Sequence, residues 1–310
     1  MRSGTLHDSV KGRRRFDTVA VLMGGPSAER DVSLRSGAAV ADGLRQAGYT
    51  VVEIDVTGRA LDIPEPVQAV FVALHGEFGE DGRVQALLEQ RKLPYTGSGP
   101  EASQTAFDKV ASKRIFDRCG IPHPTYEVLQ RGASRRLPLP VVVKPARQGS
   151  SIGVHRVREE TDWPAAFEDA LRHGPDVIVE AYIAGRELTV GIVEDEALPV
   201  VEIAAPDAWY DYRAKYTPGA TSYLVPAPVD DTVARACSQA ALQAFHVLGC
   251  RGFARVDFRY AEDGGVFVLE VNSIPGFTET SLLPKAAAGV GMAFSELCDR
   301  ILRCAKNGEA

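Results

Sequence analysis

Residues Gly252 to Ser281 read GFARVDFRYAEDGGVFVLEVNSIPGFTETS, and this stretch decides the fold. FARVDFRY and VFVLEVN each alternate apolar and polar side chains, and AEDGG between them signals a tight turn, so a β-hairpin is expected. A period of two puts Arg255, Asp257 and Arg259 on one face of the first strand, and Glu270 and Asn272 on one face of the second. Asp257 then lies opposite Glu270 and Asn272, which gathers three oxygen donors with no Cys or His nearby. Two carboxylates and an amide oxygen suit a hard cation such as magnesium held beside phosphates. A solvated strand face with scattered charges is the alternative. The flanking Arg255 and the glycine-containing SIPGFT loop favour the metal site.

Towards the N-terminus the chain alternates strand and helix. TVAVLM (Thr18 to Met23) is an apolar strand, GGPSAERDVS a glycine turn, and Leu34 to Ala47 carries a helical pattern. YTVVEIDV and VQAVFVAL (Val67 to Leu74) read as further strands and RVQALLEQRK as a second helix. Such alternation implies a parallel sheet with function at the loops beyond the strands' carboxyl ends. Two loops sit there, GGPSAERDVS and HGEFGEDG. The first departs from the G-x-G-x-x-G fingerprint, which argues against a nicotinamide-binding domain. Glu29 is either a ligand contact or a charge favoured by a helix N-terminus, and His75 either a functional group or a satisfied loop histidine.

A helix is expected from Thr105 to Cys119, and the Pro-rich IPHPTYEVL after it marks a domain boundary. VVVKPARQGSSIGV then places Lys144 at a strand end beside a polar glycine loop, a pattern that suits phosphate. It is not a Walker loop, because the lysine precedes the glycines; an ordinary hairpin loop is the alternative. TDWPAAFEDALRH is an amphipathic helix with Thr161 as its cap. DVIVEAYIAGRELTVGIVED gives two strands around a glycine turn flanked by Glu180 and Glu187, which either meet adenine and ribose or face solvent. Ala205 to Pro228 holds four tyrosines and four prolines with little periodicity, the mark of a lid, in which Lys215 and Tyr216 are the inward-pointing candidates. Val229 to Leu248 reads as a long helix and Ala286 to Cys304 as a closing amphipathic helix.

The composition fits an ordinary globular protein of several domains: 310 residues, 45% hydrophobic and 25% charged. A formal net charge of −6 argues against a nucleic-acid binder. The basic KGRRR run (Lys11 to Arg15) lies in a polar tail with no apolar stretch after it, so a disordered leader is expected over 1–17 and not a secretory signal. No apolar run has the length of a membrane span. The five cysteines, Cys119, Cys237, Cys250, Cys298 and Cys304, lack metal-ligand spacing, and reduced cytoplasmic thiols are the simplest reading.

Taken in order, GGPSAERDVS, HGEFGEDG, VVVKPARQGSSIGV, YDYRAKY, ARVDF and LEVNSIPGFTETS resemble the motifs of the D-alanine–D-alanine ligases, members of the ATP-grasp superfamily. The resemblance implies an α/β (α+β) ATP-grasp fold. Its parts would be a parallel-sheet α/β domain over 18–105, a central subdomain over 106–190, and a C-terminal subdomain over 191–310 with the lid at 205–228. It implies that two D-alanines are joined at the expense of ATP: an acylphosphate forms on the first, and the amine of the second displaces phosphate. Phosphoryl transfer needs charge neutralisation and alignment more than a protein nucleophile, so the absence of a Ser–His–Asp set is no objection.

The same resemblance assigns roles. Glu29 would hold the first D-alanine's ammonium, with Val32 and His75 beside it. Lys109 and Lys144 would meet the ATP phosphates under the loop of Ser150, Ser151, Ile152 and Gly153, and Glu180, Ile183 and Glu187 would contact adenine and ribose. Arg255 and the Gly276 N–H would stabilise the developing oxyanion. Ser281 and Leu282 would form the second D-alanine's carboxylate pocket. Asp257, Glu270 and Asn272 would hold two Mg2+ ions, for which Mn2+ can substitute. Lys215 and Tyr216 would form the lid pair, Tyr216 reaching Ser150 and Glu29; relatives accepting D-lactate tend to carry phenylalanine there, so D-alanine is the expected acceptor. A homodimer is implied, with no nucleic-acid or membrane partner. Two departures stand out: Ala181–Tyr182 replaces a commoner basic–aromatic pair beside adenine, and Ser273, Phe277 and Thr280 differ from the usual loop. The alternatives are a carboxylate–amine or depsipeptide ligase with another acceptor, and a nucleotide-binding regulator without turnover. The second would lack at least one of Lys144, Arg255, Asp257, Glu270 or Asn272, and all are present.

Overall fold

The computed structural model describes residues 15–205 and 221–308. Strands β1 (Thr18–Gly24), β2 (Thr50–Val56) and β3 (Ala69–Val72) form a parallel sheet in the order β2-β1-β3, with helix α1 (Arg30–Gln46) between β1 and β2. Parallel neighbours cannot be joined by a tight turn, so α1 is the obligatory crossover, and its packing buries Val19 to Leu22 completely. The helix starts four residues before the apolar pattern does, because the first turn, Arg30 to Ser33, is mostly polar and borders the site. Regular pairing in β3 covers less than the expected 67–74, although Gln68 N–H to Thr18 C=O (2.9 Å) and Ala73 N–H to Leu22 C=O (2.9 Å) extend it at both ends.

After α2 (Arg83–Gln90), the single helix expected over 105–119 is two: α3 (Pro100–Phe107) and α4 (Lys109–Cys119). Asp108 is extended (φ −87°, ψ 101°), and its carboxylate accepts from the N–H groups of Val110 and Ala111 at 3.0 and 3.1 Å. The aspartate therefore caps a new helix and fixes Lys109 in its first turn. The second sheet is antiparallel, β4 (Tyr126–Leu129), β5 (Val141–Pro145), β6 (His155–Val157) and β7 (Val177–Ala181) in the order β4-β7-β5-β6. Helix α5 (Trp163–Leu171) covers it with Ala166, Phe167 and Ala170. Thr161 does not cap α5: the cap position is Asp162, without a side-chain bond, and Pro164 starts the helix where its missing N–H costs nothing.

The third sheet holds β8 (Gly185–Val193), β9 (Glu196–Ala197), β10 (Val201–Ala204), β11 (Ser222–Leu224), β12 (Phe253–Ala261) and β13 (Val266–Asn272), with α6 (Asp231–Val247) against it. Its order is β11-β10-β8-β12-β13, with β9 also on β8. β7 and β8 look like a hairpin in sequence but lie in different sheets, so the chain changes sheet at residues 182–184 and the expected junction at 190/191 falls inside β8. The closing helix expected over 286–304 is also two, α7 (Leu282–Ala288) and α8 (Phe294–Arg303), parted at Gly289–Val290–Gly291, where two poor helix formers flank an exposed valine.

The β12–β13 register puts Arg255 opposite Asn272 and Asp257 opposite Glu270, as the alternation requires, with an irregularity after Asp257 that brings Phe258 opposite Val268. Phe71 of β3, Phe253 of β12 and Phe277 beyond β13 pack together, with centroids 5.3 Å (71–277), 5.7 Å (253–277) and 6.2 Å (71–253) apart. Each aromatic pair is worth about 0.5–1.5 kcal/mol beyond its buried area. This trio locks the loop after the hairpin onto the parallel sheet, and it gives the unusual Phe277 a packing role. Among the described residues, no helix is long and apolar enough to cross a membrane.

Candidate active site

Two adjoining cavities lie where the three sheets converge. The first is walled by the start of α1 (Glu29, Val32), by His75 after β3, and by the hairpin and its following loop, including Arg255, Glu270, Asn272, Gly276, Ser281 and Leu282. The second is walled by Lys144, Ser151, Glu180, Ile183 and Glu187, with Asp257 at its floor. Lys109, Gln148, Gly149 and Glu270 border both, so these four form the partition.

The loop after β5 closes the first cavity. Ser150 donates its hydroxyl to Glu29 Oε1 in a very short hydrogen bond. Glu29 is buried at the N-terminus of α1, where an anion is favoured. Gly149 packs against Glu29: a Cβ there would stand 2.5 Å from Glu29 Oε2, so the carboxylate would have to shift. Ser150 and Ser151 adopt left-handed φ values of 50° and 57°, strain that persists only where surrounding contacts impose it. Lys109 anchors the same loop: its Nζ donates to the Gln148 carbonyl at 2.8 Å and lies 3.1 Å from Glu270 Oε2.

His75 is held from both sides. Nδ1 lies 3.1 Å from the Ile274 carbonyl, which can only accept, so Nδ1 carries the proton in the neutral ring. Nε2, 3.1 Å from Ser36 Oγ, then accepts from that hydroxyl. Ser36 Oγ in turn accepts the Phe277 N–H at 3.2 Å, beside Gly276. Ser281 Oγ accepts the Thr278 N–H at 2.9 Å and so braces the other side of the loop.

The hairpin carboxylates are less open than the sequence implied. Asp257 is gripped by Arg255, Nε to Oδ1 at 2.8 Å and Nη2 to Oδ2 at 2.7 Å, and Oδ1 also accepts from Thr189 Oγ1 at 2.7 Å. Arg255 and Asp257 thus neutralise one another in this arrangement. Asn272 Oδ1 is buried with no hydrogen-bond partner among the described residues, an acceptor whose burial demands a donor or a cation. With the carboxylates of Glu270 and Asp257 it makes an all-oxygen set that fits magnesium. Arg259, on the same strand face, serves the other end: it donates to the carbonyls of Ile183 and Gly185 (3.1 Å each) and lies 3.3 Å from Glu187 Oε2.

Behind the second cavity stands a cluster that the sequence did not reveal. Glu180, 2% exposed, has Oε2 at 2.8 Å from Lys144 Nζ and Oε1 at 2.9 Å from Lys113 Nζ. Burial alone would raise the Glu180 pKa, but Lys113 and Lys144 outweigh it and hold the carboxyl below its ordinary range. Burial pulls the Lys113 pKa down, against the attraction of Glu180. Lys113 lies one turn beyond Lys109 on α4, so two lysines at i and i+4 on one helix face were the available signal. Tyr182 explains a departure from the usual motif: Arg156 and Arg259 place their guanidinium carbons 5.5 and 5.6 Å from its ring, so the charge absent at Ala181 arrives from β6 and β12. Lys215 and Tyr216 lie outside the described residues.

A family model described as the D-ala D-ala ligase C-terminus matches residues 115–303, and one for the D-ala D-ala ligase N-terminus matches residues 58–98. The chain belongs to the D-alanine–D-alanine ligase family. A D-alanine–D-alanine ligase of Syntrophotalea carbinolica is 50% identical over 92% of this chain and 94% of its own length. One of Anaeromyxobacter dehalogenans is 50% identical over 92% and 95%, and one of Methylacidiphilum infernorum 46% identical over 92% and 94%. Of the residues expected at the site, those among the described ones border a cavity, except Ile152 and Gly153 of the loop after β5.

Proposed function

We propose that this chain joins two D-alanines into D-alanyl-D-alanine, with hydrolysis of ATP to ADP and phosphate, to supply a peptidoglycan precursor. The observation that carries the reading is the partition: a carboxylate seated in the first cavity and a phosphate in the second would meet across Lys109 and Glu270. Glu29 receives the ammonium of the first D-alanine, and Val32 and His75 limit the space around its methyl group. Lys109 and Lys144 neutralise the phosphates while Ser150 and Ser151 hold the loop down over them, which excludes water from the acylphosphate. Glu180, Ile183 and Glu187 take the adenine and ribose. Ser281 and Leu282 orient the second D-alanine's carboxylate. Arg255, once released from Asp257, and the Gly276 N–H would supply donors to the oxygen that gains charge when the amine attacks. Lys215 and Tyr216 complete the lid in this reading.

Asp257, Glu270 and Asn272 are the residues that would hold two Mg2+ ions, or Mn2+ in their place. Bound there, the ions neutralise and align the ATP phosphates. For Asp257 to serve, Arg255 has to exchange its carboxylate partner for the reacting oxygen. A homodimer in the cytoplasm belongs to the same reading. The acceptor is tested by competing D-alanine against D-lactate near neutral pH: dipeptide is expected to predominate, and predominant depsipeptide would reassign the chain to the D-lactate-accepting alternative.

A further inference from the structure

Lys113 has no place in the chemistry above. It does not border the nucleotide cavity, its side chain is only 1% exposed, and yet it carries an ammonium group into the protein interior. Such burial is costly unless the charge is paired, and its partner is Glu180. Glu180 and Lys144 lie on neighbouring antiparallel strands, with Val142 directly opposite Glu180, so they form a diagonal pair on one sheet face. Lys113 reaches the same carboxylate from α4, and its ammonium stands 5.8 Å from the centre of the Tyr126 ring. Each Glu180 oxygen therefore faces one lysine.

We infer that Lys113 is a positioning residue for the nucleotide: it occupies Glu180 Oε1 and so leaves Lys144 with a surplus positive charge at the cavity. With Lys113 held protonated by Glu180, two ammonium groups against one carboxylate leave one net positive charge, and Lys144 and Glu180 are the members of the cluster that border the cavity. Without Lys113, Glu180 and Lys144 become a neutral pair, Oε1 loses its anchor, and the cavity loses attraction for a polyphosphate. Lys113 also ties α4, which carries Lys109 in its first turn, to the strands that carry Lys144 and Glu180. Both phosphate-facing lysines are thereby set relative to one another.

This inference rests on the second cavity being the nucleotide site, so the test measures nucleotide binding directly. Calorimetric titration with Mg-ADP and with a non-hydrolysable ATP analogue would compare the wild type, Lys113→Met and Lys113→Arg. Lys113→Met is expected to bind about tenfold more weakly, the lower end of the effect seen when groups that orient metal ligands are removed. Its KM for ATP should rise alongside, while KM for D-alanine and kcat at saturating ATP stay within about twofold. Lys113→Arg keeps the charge and should recover most of the affinity. A folded Lys113→Met with unchanged nucleotide affinity, or with both KM values raised alike, would overturn the inference. Should Lys113→Met fail to fold, Lys113→Met/Glu180→Gln removes both buried charges and is compared with Glu180→Gln alone. Equal affinities within about twofold would support action through Glu180, and an additional loss would contradict it. A wild type that binds neither nucleotide would sink the ligase reading itself, an outcome distinct from failure of the Lys113 variants.

Discussion

Glu270→Gln keeps the size and one carbonyl oxygen of the side chain and removes only its charge. The fold should scarcely respond. The side chain is 32% exposed, and one ion partner, Lys109 Nζ, lies 3.1 Å away. A partly solvated pair of this kind contributes about 1 kcal/mol or less, and the amide oxygen can still accept from the ammonium. A melting temperature lowered by no more than about 2–4 °C follows. Turnover should respond strongly. Glu270 borders both cavities, directly opposite Asp257 in the hairpin register. In the proposed role Glu270 would hold Mg2+, and the charge neutralisation the ion would supply to phosphoryl transfer is worth several kcal/mol. A loss of about 2.7 kcal/mol or more is about 100-fold or more in kcat. The assay is D-alanine-dependent phosphate release with Mg2+ and ATP, run beside a thermal melt of the same preparation. Near-normal turnover in a folded Glu270→Gln protein would show that the catalytic centre has been misplaced. A collapsed melting temperature would show that the pair was chiefly structural.

Two further outcomes follow from buried polar contacts. Ser36→Ala strands the Phe277 N–H and His75 Nε2, both buried. Each orphaned group costs about 1–3 kcal/mol, so the variant should melt earlier and lose kcat as the Gly276 loop loosens; a wild-type melt would refute the assigned network. The Asp81 carboxyl would be raised by burial alone, but Arg83 and the N–H groups of Phe78 and Arg83 prevail and hold it below its ordinary value. A depressed folded pKa contributes stability above the unfolded carboxylate range, about pH 4, and loses it as pH falls through the folded value. Urea unfolding at about pH 7 and pH 3 should therefore show Asp81→Asn losing less stability on acidification than the wild type, and parallel losses would count against that role.

The hairpin was legible because period-two alternation sets both face and partner, so Arg255, Asp257, Glu270 and Asn272 could be brought together on paper. The irregularity after Asp257 has no local signature, and neither has the grip of Arg255 and Thr189 on that carboxylate. β7 and β8 carry ordinary hairpin signals, and only the packing of whole layers decides that they join different sheets. Asp108 was a visible capping residue, but the helical pattern ran through it and hid the break. Lys113 illustrates the deeper limit. Lysine is normally a surface residue, and its burial depends on Glu180, some 67 positions further along the chain. Composition cannot foresee such a pairing. The lid expected at YDYRAKY, with Lys215 and Tyr216, lies outside the described residues.

The central claim is that the two cavities work as one ligase. Its most direct test is to incubate the protein with Mg2+, ATP and D-alanine, and to quantify phosphate and D-alanyl-D-alanine together. Phosphate and dipeptide are expected in equal amounts, with neither formed when D-alanine is withheld. Phosphate release that ignores D-alanine, or no D-alanine-dependent release at all, would contradict it.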